Sequence, residues 1–129
     1  MSAFWDKGLE AFSGGSINLS TDTVKVRLLR KSGYTLSQTD QYVNVLPAAI
    51  GTDVTLGTKV LSGGTLDAAD AVFTAVPTGA AIDSLAIYKD TGVSTTSPLI
   101  AYIDGFSVTP NGGDITIQWQ ATTPWIFKL

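Results

Sequence analysis

The sequence predicts an all-β protein: a β-sandwich or jelly-roll-like barrel of about seven or eight short strands with a short N-terminal helix. Three observations predict it. Turn signals built from Gly, Pro, Asn and Asp recur along the whole chain. Between them stand short runs rich in Val, Ile, Thr and aromatic residues, several of them alternating. Only one segment carries a convincing helical period, and it is the first. With 129 residues, the chain reads as one domain spanning 1–129. Area scaling gives burial of roughly two-thirds of the unfolded surface, enough for one core without staples.

The helix is expected within residues 1–14. Trp5, Leu9 and Phe12 fall at i, i+4 and i+7, on one face. Ser2 reads as its N-cap and Gly14-Gly15 as its stop. Gly8 weakens it by about 1 kcal/mol relative to Ala. The apolar stripe either packs on the β domain or docks on a neighbouring subunit.

The cleanest half-buried strand runs from Thr23 to Arg30, with Val24, Val26 and Leu28 on one face and Lys25 and Arg27 on the other. Lys25, Arg27, Arg30 and Lys31 make a small basic patch, which reads as a solvated strand face, with docking on an acidic shell as the sharper alternative. Residues 31–41 read as a loop. Asp40 is placed to cap a helical turn holding Tyr42, Val43 and Leu46, ended by Pro47. Short strands follow at 54–56 and 58–61, then a Gly63-Gly64 turn, then a β-prone stretch from Ala71 to Val76.

Ser84–Lys89 and Leu99–Ile103 read as a hairpin whose long exposed tip includes 93–97. Pro110-Asn111-Gly112-Gly113 is the strongest turn signal, because Asn and Gly tolerate positive φ. Beyond it Ile115, Ile117 and Trp119 alternate with Thr116 and Gln118. Trp125 to Leu129 makes a final apolar strand.

Chemistry is scarce. The chain has no His and no Cys. That removes the commonest general base, the commonest metal ligand and all thiol chemistry. Glu10 is the only Glu, so paired carboxylates would have to be aspartates. Asp67 and Asp70 are close in sequence but read as solvated turn carboxylates. No catalytic, cofactor or metal residues are assigned, and no enzyme activity is expected. Net charge is −3, the wrong sign for a phosphate-binding surface, so no nucleic-acid partner is expected. No run approaches the length of a membrane span. The first residues lack a positive leader and an apolar core, so folding in the cytoplasm is expected.

Trp5, Trp119, Trp125, Tyr88 and Tyr102 could line a flat sugar-binding platform, or serve as core and interface anchors. The second reading is preferred. Trp5, Leu9, Phe12, Trp125 and Phe127, near the two ends of the chain, are the residues expected at intersubunit contacts.

Five segments occur in a suggestive order: Lys7-Gly8-Leu9-Glu10-Ala11-Phe12; the strand Asp22 to Leu29; Ile87-Tyr88-Lys89-Asp90-Thr91-Gly92; Leu99 to Asp104; and Thr109-Pro110-Asn111-Gly112-Gly113-Asp114 with its strand to Trp119. Together they resemble a family of small structural proteins of tailed bacteriophages. The resemblance covers most of the chain, and its most specific piece is the Pro-Asn-Gly-Gly-Asp block. It implies a virion component and no catalytic activity, and it transfers no binding site.

The leading expectation is a capsid decoration, or cement, protein that bridges subunits of the major capsid protein and is itself a homo-oligomer, dimer or trimer, assembled in the host cytoplasm. Symmetry would repeat each modest contact many times. The alternatives are a tail or head–tail joining ring component, and a carbohydrate-binding β-sandwich on the particle surface.

Overall fold

The alternating run that starts at Val24 forms β2, Val24–Leu29, at the heart of the main sheet. The computed structural model describes residues 2–62, 65–118 and 127–128. β2 pairs antiparallel along its whole length with β7, Ile82–Lys89, from Val24 opposite Lys89 to Leu29 opposite Ser84. β7 pairs on its other edge with β8, Leu99–Val108. β1, Ser2–Phe4, adds to β8, and β3, Val54–Thr55, adds to β2. The strand order is β1-β8-β7-β2-β3. β4 (Val60–Ser62), β5 (Thr65–Asp67) and β10 (Phe127–Lys128) form a second sheet, ordered β10-β5-β4. β6 (Ala71–Phe73) and β9 (Ile115–Ile117) form a third. The protein is therefore mainly β and antiparallel, with one short helix.

Side-chain alternation sends the main sheet's apolar residues to two cores. Val24, Val26, Leu28, Leu85 and Ile87 enter the larger one, with Leu66, Phe73 and Ile115 from the small sheets. Leu29, Ala86, Tyr88, Leu99 and Tyr102 enter the smaller one, completed by Trp5, Val43 and Leu46. Strands buried on both faces lose the polar half of their alternation. This is why β7 reads as a continuous apolar run.

Two irregularities fit β8 to both cores. Tyr88 faces Leu99 and Ile87 faces Ala101, so Ile100 is an extra residue. Both Ile100 and Ala101 thereby reach the larger core. Further on, Ser84 faces Asp104 while Ile82 faces Val108. Gly105, at φ +92, lies in this second bulge, in a conformation that costs glycine little. The bulge lets β8 run five residues past the expected end at Ile103.

The N-terminus differs from expectation. Ser2 is not a helix cap, because Ser2–Phe4 is β1, with Ser2 opposite Ile103. The helix α1 spans Asp6–Ser13 and its N-cap position is Trp5, with no side-chain cap. Gln38 Oε1 instead accepts the Asp6 N–H at 2.8 Å, satisfying one helix-end donor from another part of the chain. Gly8, not an aromatic stripe, makes the close approach to β8: a Cβ there would lie 2.6 Å from the Leu99 carbonyl oxygen. The turn expected after Asp40 is a 3₁₀ helix, Val43–Val45, without a side-chain cap. It buries Val43 and Leu46, while Asp40 accepts the Tyr34 hydroxyl at 2.5 Å. The expected Gly63-Gly64 turn and the positions of Trp119 and Trp125 lie outside the described residues.

Candidate functional site

The five residues expected at intersubunit contacts do not share one surface. Trp5 is corrected: it is 0% exposed and belongs to this chain's own smaller core. Its ring packs edge-on to Tyr102 at 6.0 Å and its Nε1 donates to Tyr34 Oη at 3.3 Å. Trp5 therefore has no surface to offer a neighbour. Phe12 is partly buried against the larger core. Leu9 is 41% exposed and stays available. Phe127 stands in β10 opposite Leu66, and Trp125 lies outside the described residues. The sugar-platform alternative loses Trp5, Tyr88 and Tyr102 for the same reason, since all three are buried.

The basic patch is also corrected. Its cations keep solvent exposure, half the side chain at Lys31, but they are not a free docking surface, because each is tied to its own chain. Lys25 pairs with Asp90 at 3.0 Å and Lys31 with Asp104 at 3.4 Å. Arg30 Nε donates to the Ala80 carbonyl at 3.0 Å. Arg27 is the hub of the set: its Nε reaches Asp53 Oδ2 at 3.0 Å, its Nη1 reaches the Pro47 carbonyl at 3.1 Å, and its guanidinium lies 5.8 Å from the Tyr88 ring centre. Tyr88 donates to the same Asp53 oxygen at 2.5 Å. Burial, then this carboxylate, pushes the Tyr88 hydroxyl well above its ordinary range. The group pins the loop before β3 onto the polar side of β2.

The other cations behave alike. Lys7 pairs with Glu10 at 2.9 Å on α1. Lys89 bridges Asp22 at 3.3 Å and the Ser16 carbonyl at 2.8 Å. Lys59 donates to the Asp22 carbonyl. Lys7, Lys25, Arg27, Arg30, Lys31, Lys59 and Lys89 are thus each bound within their own chain. Tyr34 is a further, partly buried hub, its hydroxyl pushed up to about 12 by burial and then by Asp40.

One polar cleft of about 510 Å³ opens between α1 and the β7–β8 tip, lined among others by Lys7, Glu10, Gln41, Tyr42, Lys89 and Thr91. Its hydroxyls form a local net. Thr91 Oγ1 lies 2.7 Å from Thr96 Oγ1 and 3.1 Å from Ser97 Oγ, and Ser97 Oγ donates to the Val93 carbonyl at 2.8 Å. No carboxylate accepts from this net among its described hydrogen bonds. The net shapes the tip. Asp90 caps it by accepting the Gly92 N–H at 2.9 Å; that bond, then Lys25, holds its carboxyl below the usual range. Asp67 lies within β5, opposite Val60, rather than in a turn. Among the described residues no group of three or more His, Cys, Asp or Glu is placed to hold a metal ion.

Among the described residues the large exposed apolar side chains are Leu9, Val45, Val60, Val72 and Val93. Two of them flank one hydrogen bond: Asn44 N–H donates to Ser94 O at 3.2 Å. Val45, 45% exposed, and Val93, 54% exposed, are the chain neighbours of that pair, near the β7–β8 tip. Sequence reasoning saw the tip as exposed and polar. It missed Val45, whose place near the tip depends on the Asn44–Ser94 bond across some fifty residues. Neither a protein-family model nor a curated protein matches the chain.

Proposed function

We propose that this protein is a structural component of a tailed-bacteriophage particle, and specifically a decoration protein that binds the major capsid protein on the outside of the head. The observation that carries this reading is the internal use of charge. With seven of the eight cations paired within the chain, contacts with neighbours fall mainly to Thr and Ser hydroxyls, short strand edges and single apolar side chains. Interface cores are depleted in charge in the same way. The ordered resemblance to small phage structural proteins, strongest in Pro110 to Asp114, supports the same reading. We read the two-core arrangement as a β-sandwich, with the small sheets forming the second layer over the larger core.

In this reading the exposed Val45, Val93 and Leu9 are the contact points, and avidity comes from symmetric repetition of a small contact. The protein acts as a homo-oligomer, dimer or trimer, at the junctions between capsid subunits. A ring component at the head–tail joint is the second reading, favoured by the projecting tip, which suits head-to-tail insertion into a neighbour. The test is co-sedimentation of the purified chain with shells that lack it, using the wild type and Val45→Asp/Val93→Asp. Saturable binding of the wild type that the double variant loses supports decoration. A wild-type chain that stays monomeric and never sediments with shells removes it.

A further inference from the structure

Asn111 and Gly112 lie in the turn that leads into β9. Asn followed by Gly is the pair in which the next backbone nitrogen most easily reaches the side-chain carbonyl, since glycine carries no side chain to crowd the approach. Asn111 is exposed to water. The fold engages both reacting groups. Gly112 N–H donates to the Val76 carbonyl at 2.9 Å, and Val76 N–H donates to the Gly113 carbonyl at 2.9 Å. Asn111 Oδ1 accepts the Gly113 N–H at 3.0 Å. Val76 itself is fully buried in the larger core, so these bonds anchor the turn to the interior.

We infer that Asn111 is a self-modification site gated by this turn: it deamidates through a cyclic imide when the turn opens and is protected while the turn is closed. Hydroxide removes the Gly112 amide proton, and the nitrogen attacks Cγ of Asn111. The bond from Cγ to the side-chain nitrogen breaks, and ammonia leaves after taking a proton from water. Water then opens the imide at either carbonyl, giving Asp or an isoaspartyl linkage. Nothing is oxidised or reduced, and water is the only co-reactant.

The two contacts act in opposite directions. The Gly113 N–H polarises the Asn111 carbonyl and favours attack. The bond from Gly112 to Val76 favours the protonated amide, because an amide anion there would face carbonyl lone pairs. The reaction requires that anion, so the Val76 bond decides the sign. Once formed, an isoaspartyl linkage lengthens the backbone by one carbon inside a turn whose Gly112 sits at φ +88. The paired bonds to Val76 then no longer close in register, and the change records each opening permanently.

The experiment incubates the full chain in warm, mildly alkaline buffer, folded or unfolded in urea, and follows residue 111 by intact mass and peptide mapping. The folded chain should convert at least about tenfold more slowly than the unfolded one, as expected when reaction requires local opening. Asn111→Gln should remove the fast conversion in urea. Equal or faster conversion in the folded chain overturns the proposal, as does conversion in urea that is faster at Asn18 or Asn44 than at Asn111.

Discussion

Replacing Gly8 by Ala separates two lines of reasoning by sign. Helix propensity alone predicts a gain of about 1 kcal/mol. The packing predicts a loss. A Cβ at position 8 would lie 2.6 Å from the Leu99 carbonyl oxygen, 3.1 Å from that of Ile100 and 3.2 Å from the Ile100 Cα. All three are backbone atoms of β8, held on one side by β7 and on the other by β1, so no side chain can swing away. Relief requires lifting α1, and a gap of roughly 0.5–1 Å forfeits a quarter to a half of each dispersion contact it opens. The lift also stretches the bond from Trp5 N–H to Ile100 O, now 3.2 Å. Overpacking of this kind costs about 1–3 kcal/mol, so the net expectation is a loss of about 1–2 kcal/mol. Urea unfolding followed by Trp fluorescence should show a lower midpoint at an unchanged slope. Gly57→Ala is the control, since its Cβ meets nothing within 4 Å. A Gly8→Ala midpoint equal to or above wild type would refute the packing argument.

Four further outcomes are expected. Asp53→Ala should cost about 2–3 kcal/mol by urea unfolding, somewhat below the loss on breaking a fully buried pair, because it strands Arg27 and Tyr88 together; Asp53→Asn, which keeps an acceptor, should cost less. Tyr34 has its hydroxyl pushed up to about 12, so the folded state holds that proton more tightly than the unfolded state. Its stabilisation is intact below pH ~10, where the unfolded tyrosine titrates, and is lost as pH rises towards 12. Urea midpoints across that window should fall, and Tyr34→Phe should flatten the fall. Ser84 Oγ is buried without a hydrogen-bond partner, so Ser84→Ala should leave stability unchanged or raise it by up to about 1 kcal/mol in thermal melts. Thr58 sits at φ +49, in a region costly for a β-branched residue, so Thr58→Gly should gain about 1 kcal/mol in the same melts.

Legibility in the sequence followed the range of the interactions. β2 was legible because Val24, Val26 and Leu28 alternate with charged residues, and Leu28 is followed at once by a second-core residue, Leu29. The β7–β8 hairpin was legible from its apolar runs and the polar tip between them. The N-terminus was misread because Trp5, Leu9 and Phe12 satisfy a helical period that the fold does not use: Trp5 is drawn into the Tyr34–Tyr102 cluster, and Gly8 takes the close contact. The true extent of β8 depended on a bulge at Gly105, and glycine in a strand signals a bulge only weakly. The Arg27–Asp53–Tyr88 group, like the Asn44–Ser94 bond near the tip, joins residues far apart in the chain, and no local pattern announces it. The basic patch was visible as a run of cations, but their carboxylate partners, Asp53, Asp90 and Asp104, come from three different segments.

The central claim, that this protein coats the head of a tailed-phage particle, is tested most directly by its copy number in purified particles, measured by quantitative mass spectrometry against the major capsid protein. A number close to that of the major capsid protein is the predicted result. A small number matching one ring would contradict decoration and move the protein to the neck or tail, and absence from the particles would contradict the virion reading itself.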